Sequence, residues 1–262
     1  MTADEAQRLV ARCLVDPDYL DAARSEFPSG SGRAGSSDDD ISVRLRLFRG
    51  FIMRIKHTQL RRIVPLTLRL LAMHAADIAF FAEAAPGYLR ARQEGPLPIQ
   101  ELLTRFERAL AQRLQVVEPG ARAEIEAVLR HEGRIWRTPR GANGPGATAH
   151  PRLVPGASVE VYGFDVLGFC AALARDPFTL PDARTATQAL LYCPDGSATR
   201  IVEIDGLSAW VLSRLDGAAS LAALDVALSQ GLGLKTGDAV VDIVADAIAR
   251  GFAECATLAT AA

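Results

Sequence analysis

The side chains able to do acid, base, nucleophilic or metal chemistry are few and scattered. The histidines stand at His57, His74, His131 and His150. None has a cysteine or carboxylate at metal-ligand spacing, and His131-Glu132-Gly133 lacks the second histidine that a zinc hydrolase helix carries. Cys13, Cys170, Cys193 and Cys255 form no CxxC pair and read as reduced, buried thiols. No GxSxG, Walker loop or GxGxxG occurs. The run GLGLKTG at 231–237 has the glycines of a phosphate loop without the Walker spacing, and it precedes an acidic helix. No catalytic residue and no metal ligand can be assigned, so the chain is expected not to be an enzyme and to hold no cofactor of its own.

Charge carries more information than reactivity. The formal net charge is −2, but residues 1–40 hold four arginines against nine acids, residues 41–113 thirteen basic residues against five acids, and residues 187–262 four against nine. A basic block between two acidic ones reads either as a partner surface or as arginines solvating helix faces. The densest basic stretch, residues 49–71, surrounds a proline. There Arg54, His57, Arg61, Arg62, Pro65 and Arg69 form a candidate docking surface; the competing reading is that Pro65 simply opens a new helix at its first position.

These residues need elements to hold them. Val43, Leu47, Phe51 and Ile55 recur every fourth residue and predict an amphipathic helix with arginines outside. Leu60, Ile63, Val64 and Leu68 predict another, kinked or broken at Val64 by Pro65. Further helices are expected over 75–83, 87–93, 99–114 and 121–132. Residues 1–135 thus read as an all-α helical bundle, and the Pro- and Gly-rich stretch 136–156 as a linker.

Over 157–262 the periodicity changes. Ser158–Tyr162 alternates, a helix is expected over 164–175, and Thr187–Cys193 and Thr199–Ile204 read as a hairpin around Pro194-Asp195-Gly196. Three helices follow. Leu207 to Leu215 form the first, a second is capped by Ser220, and the third runs from Asp238 to Arg250. Phe252–Leu258 is expected to add an edge strand. The fold class is therefore α+β, with a winged-helix-like second domain.

A winged helix raises the alternative of a DNA-binding transcriptional regulator, which the charges oppose. There is no basic residue from Ala218 to Gly233, and the third helix carries Asp238, Asp242 and Asp246. Such a unit serves either as a structural accessory or as a receptor for an extended peptide along a strand edge. The candidate peptide-binding residues are Arg200, Ile201, Val202, Glu203 and Ile204 on the strand, and Asp238, Val241 and Asp242 on the helix. Proline at Val202 or Ile204 is expected to weaken peptide binding. Neither nucleic acid nor membrane is an expected partner. The most apolar stretch, Leu66–Phe81, is interrupted by Arg69, His74 and Asp77, and Asp4 and Glu5 stand where a secretory signal is basic, so a cytoplasmic location is expected.

Specific runs carry a resemblance. IKHTQLRRIVPLTLRLL followed by IAFFAEAAPGYLRAR, together with the earlier CLVDPDYLDAARSEF, resembles the helical half of the partner subunits of multinuclear non-heme iron oxidases in RiPP (ribosomally made peptide natural-product) biosynthesis. The methanobactin partner protein is one example. QALLYCPDGSATRIVEIDGLSAWVLSRLDGAASLAAL is similar to their second domain, itself similar to the winged-helix RiPP recognition element: a hairpin, a helix ending in a Leu-Asp-Gly turn, then a helix opening with Ser. The resemblance implies a heterodimer in which iron sits in a separate TIM-barrel oxidase. It also implies that the strand Ile201–Ile204 and the helix around Val241 contact the leader of a precursor peptide, and that the surface around Arg54, His57, Arg61 and Pro65 packs on the oxidase.

Overall fold

In a computed structural model of the chain, helices lead and small antiparallel sheets enter in the second half, an α+β arrangement. The structure describes residues 44, 47, 48, 50, 54, 58–83, 98–115, 117–138, 149–176, 178–183, 186–233 and 238–255. The helix expected over 87–93 lies outside these. The chain divides into two compact units, residues 1–132 with 173–180, and residues 133–172 with 181–262.

In the first unit Arg44, Leu47, Phe48, Gly50 and Arg54 are helical. Then come α1 (Thr58–Ile63), α2 (Pro65–Met73), α3 (Asp77–Glu83), α4 (Ile99–Leu114) and α5 (Pro119–Arg137), whose last turn belongs to the second unit. The α4 sequence needs little help to choose its fold. Leu102, Leu103, Phe106, Leu110 and Leu114 recur at helical spacing and are all buried. Each such side chain contributes about 1.5–3 kcal/mol relative to exposure.

Between α1 and α2 the chain breaks rather than kinks. Proline disfavours helical backbone in the residue before it, and Val64 accordingly leaves the helix at φ −131°, with Pro65 first in α2. Val64 has no side chain to cap the new N-terminus. The carboxylate of Glu132 on α5 does so instead, accepting from the backbone N–H of Leu66 at 2.8 Å, from that of Thr67 at 2.9 Å, and from the Thr67 hydroxyl at 2.7 Å.

Of the expected apolar line only Leu47 is among the described residues; Val43, Phe51 and Ile55 lie outside them. Leu47 and Phe48 are about half exposed, and the face carrying Gly50 and Arg54 turns toward α3. A Cβ on Gly50 would lie 2.2 Å from the Ile78 carbonyl oxygen, and one turn on Arg54 Nη1 meets the buried Asp77 carboxylate at 3.0 Å. Glycine permits this crossing because it has no side chain. Gly50→Ala is therefore expected to lower stability by about 2 kcal/mol through overpacking, read as a lower urea midpoint; an unchanged midpoint would mean the helices do not approach this closely.

The second unit is built on a three-stranded antiparallel sheet in the order β2–β3–β4, comprising β2 (Ser158–Tyr162), β3 (Gln188–Asp195) and β4 (Ala198–Ile204). The hairpin loop is Gly196-Ser197, one residue beyond the expected turn. Gly196 takes φ +57° at the first loop position, where a two-residue turn favours glycine. Central β3 is buried from Gln188 to Cys193, so both sheet faces are covered. On one face Leu191 and Cys193 join a core with residues of α7 (Gly206–Leu212), α8 (Leu221–Leu232) and α9 (Ala239–Ala249). On the other, Tyr192 and Tyr162 share a 2.8 Å hydroxyl hydrogen bond and Thr199 donates to the Ile135 carbonyl. Helix α6 (Val166–Arg175) connects β2 to β3, its last turn belonging to the first unit.

Local chemistry sets the helix starts. The Asp205 carboxylate accepts from the N–H groups of Leu207 and Ser208 at the start of α7, and the Ser220 hydroxyl accepts from Ala223 N at the start of α8. Within the stretch expected to add an edge strand, Ala253–Glu254 form β5, which pairs with β1 (Arg152–Leu153) in a separate two-stranded sheet, and among the described residues no strand pairs with the outer edge of β4. Of the expected linker, 139–148 lie outside the described residues. Its flanks are regular structure, the end of α5 and β1.

Candidate functional site

The open edge of β4 borders a groove of about 360 Å³. Val202, Glu203, Ile204 and Asp205 form one wall, Asp242, Ile243, Asp246 and Ala247 of α9 with Arg250 just after it the other, and Ser208, Leu212 and Phe252 complete it. A second hollow of about 550 Å³ shares Glu203, Ile204 and Asp205 with it and continues over Val159, Val161 and Trp210.

The register says which backbone groups are available. Asp195 opposes Ala198 across a two-residue loop, which makes that pair hydrogen-bonded and alternates the rest. The N–H and C=O groups of Arg200, Val202 and Ile204 therefore belong to the β3 ladder, and those of Ile201 and Glu203 point to the open edge. Among the described residues no backbone hydrogen bond outside that ladder reaches Ile201 or Glu203. An extended chain laid along β4 would find its partners there.

Four acidic residues border the groove, Glu203, Asp205, Asp242 and Asp246, against one basic residue, Arg250. Arg250 Nε is already 2.9 Å from Asp246. The backbone N–H of Ser208, with further hydrogen bonds, holds the Asp205 carboxyl below the usual range, so it stays ionised at neutral pH. The floor is apolar, formed by Leu212, Ile243, Ala247 and Phe252. The site is thus an acid-rimmed trough beside unpaired strand groups.

The expected peptide-binding residues divide. Val202, Glu203, Ile204 and Asp242 line the groove, and Ile201 contributes backbone groups at its edge. Arg200 turns away. Its guanidinium donates to the Arg250 carbonyl at 2.7 Å and lies 4.3 Å from the Phe252 ring centroid, which ties β4 to the end of α9. Asp238 ends up just before α9, outside the groove, and Val241 is exposed on the other flank. Helical geometry explains the displacement. Val240, Val244 and Ala247 fix the inward line of α9, and at 3.6 residues per turn Ile243, Asp246 and Arg250 fall to one side of it and Val241 to the other. The apolar line was readable in sequence, but which flank meets β4 is decided by tertiary packing.

Residues expected to dock a partner meet in the first unit. Arg54, Arg61, Pro65 and Arg69 line a hollow of about 500 Å³ with Leu68, Ala72, Met73 and Phe178. Arg62 is exposed outside it, and His57 lies outside the described residues. Two of the arginines have structural partners: Arg54 pairs with Asp77, and Arg69 donates to the carbonyls of Leu173 and Ala174. Arg61 is exposed, and Phe178, at 92% exposure, presents an aromatic ring to solvent.

Among the described residues no group of three or more His, Cys, Asp or Glu is placed to hold a metal ion, and no helix is long and apolar enough to cross a membrane. No protein-family model matches the chain, and no curated protein matches it.

Proposed function

We propose that this chain is a non-catalytic partner subunit with a bundle-like helical half and a winged-helix-like second half. In this reading it recruits the leader of a ribosomally made precursor peptide and docks on a multinuclear non-heme iron oxidase in the cytoplasm. The observation that carries the reading is the groove between edge strand β4 and α9, where unpaired backbone groups and an apolar floor suit strand addition. The hollow at Arg61, Pro65 and Phe178 is its proposed oxidase contact, an exposed aromatic among arginines having the composition of an interface anchor. The acidic α9 and a basic-free α8 weigh against the DNA-binding alternative.

Proline substitution tests the strand-addition step. Ile201→Pro or Glu203→Pro removes an outward N–H and leaves the β3 ladder donors intact, and is expected to weaken leader binding about tenfold or more. Val202→Pro or Ile204→Pro breaks the hairpin itself, so the register moves the informative positions by one residue. Titration calorimetry with the precursor peptide checks this, and unchanged affinity in both outward variants would place the peptide elsewhere. For docking, the chain is expected to co-elute on size exclusion with a co-expressed multinuclear non-heme iron oxidase, should its gene neighbourhood encode one, and Phe178→Asp is expected to separate them; failure of the unaltered pair to co-elute would remove the partner-subunit reading.

A further inference from the structure

From the charge of the groove we infer the sequence class of its occupant: an extended segment in which Lys or Arg alternates with apolar residues. This rests on the strand-addition reading and narrows it. Of the four acidic residues in the lining, Asp246 is matched by Arg250 and Asp205 caps α7. Glu203 and Asp242 are exposed, Asp242 on the α9 wall and Glu203 with its side chain on the far face of β4, and neither forms an ion pair among the described residues. The lining residues therefore carry a net charge of −3 and their one cation, Arg250, is already paired, while the Arg200 guanidinium lies at the end of the groove on Phe252.

A strand added to β4 places successive side chains on alternate faces. Those on the helix-facing side meet the apolar floor of Leu212, Ile243, Ala247 and Phe252, close to the Asp242 and Asp246 rim. Those on the other face lie beside Glu203, whose side chain projects opposite to Val202 and Ile204. Apolar residues fill the floor and cations satisfy both rims. An acidic segment would bring like charge against Glu203, Asp205 and Asp242 and is rejected by the same geometry.

The test uses the full chain and a display library of random peptides of about twelve residues. The peptides enriched are expected to alternate Lys or Arg with apolar residues. Their affinity is expected to fall about fivefold in the Glu203→Gln/Asp242→Asn double variant and on raising salt from about 50 to 500 mM, with the salt effect much smaller in the double variant. Both side chains are exposed, so these substitutions leave the fold intact; matching thermal midpoints verify it. Glu203→Pro separates the two levels of the argument. Peptides that lose binding in Glu203→Pro yet are neutral or acidic, and indifferent to the double variant, overturn the charge class and spare the groove. Peptides indifferent to Glu203→Pro overturn the groove itself.

Discussion

Glu132→Ala is expected to lower the unfolding free energy by about 3 kcal/mol near pH 5. The substitution strands the N–H groups of Leu66 and Thr67 at the start of α2, and Thr67 is fully buried. A buried donor left without its acceptor costs about 1–3 kcal/mol, and the Thr67 hydroxyl loses its partner as well. Ordinary N-caps are supplied by the residue just before the helix and are worth about 1 kcal/mol. Here the cap comes from α5, some 65 residues away, so it also pins two helices together. Glu132→Gln keeps one acceptor oxygen and is expected to cost less. Urea unfolding of the three proteins checks the order; an alanine variant as stable as the parent would mean that water caps α2 equally well.

That cap also shows where sequence reasoning stops. Pro65 announced a new helix start, and the break at Val64 followed from local sterics. What satisfies the freed donors depends on a contact between α2 and α5, which no local pattern encodes. The helix over 99–114 was legible to its boundaries because its apolar spacing and its burial are the same fact. The close crossing at Gly50 and the ion pair of Arg54 with Asp77 were not legible, because both depend on where α3 packs. In the second unit the strand-turn-helix order was readable from turn and cap residues, and so were Val202, Ile204 and Asp242 as groove residues. Ile243, Asp246, Arg250 and Phe252 were not, because only the placement of α9 beside an edge strand makes them neighbours. The pairing of β5 with β1 was likewise beyond any local pattern.

Stability is expected to be nearly independent of pH between about 4.5 and 6.5 as far as Glu132 and its neighbour His131 are concerned, because their titrations oppose each other. Burial raises the Glu132 carboxyl to about 7 from 4.5, against the pull of its three hydrogen bonds. The folded state therefore holds this proton where the unfolded state has released it. Its contribution is fully present below 4.5 and is lost as pH rises toward 7. Burial lowers the His131 imidazole to about 4 from 6.5. Here the unfolded state takes up the proton first, so stability is present above 6.5 and lost as pH falls toward 4. Each shift corresponds to about 3 kcal/mol across its window, and over their overlap the two slopes cancel. Single variants unmask them. In Glu132→Gln, stability is expected to climb with pH from 4 to 6.5, and in His131→Asn to decline from 4.5 to 7. The cost of Glu132→Ala accordingly shrinks as pH rises, because above 7 the cap is a buried charge whose desolvation offsets much of its hydrogen bonding. Urea midpoints at half-unit steps from pH 4 to 8 measure all four proteins. Parallel pH curves for the parent and both single variants would refute the opposition.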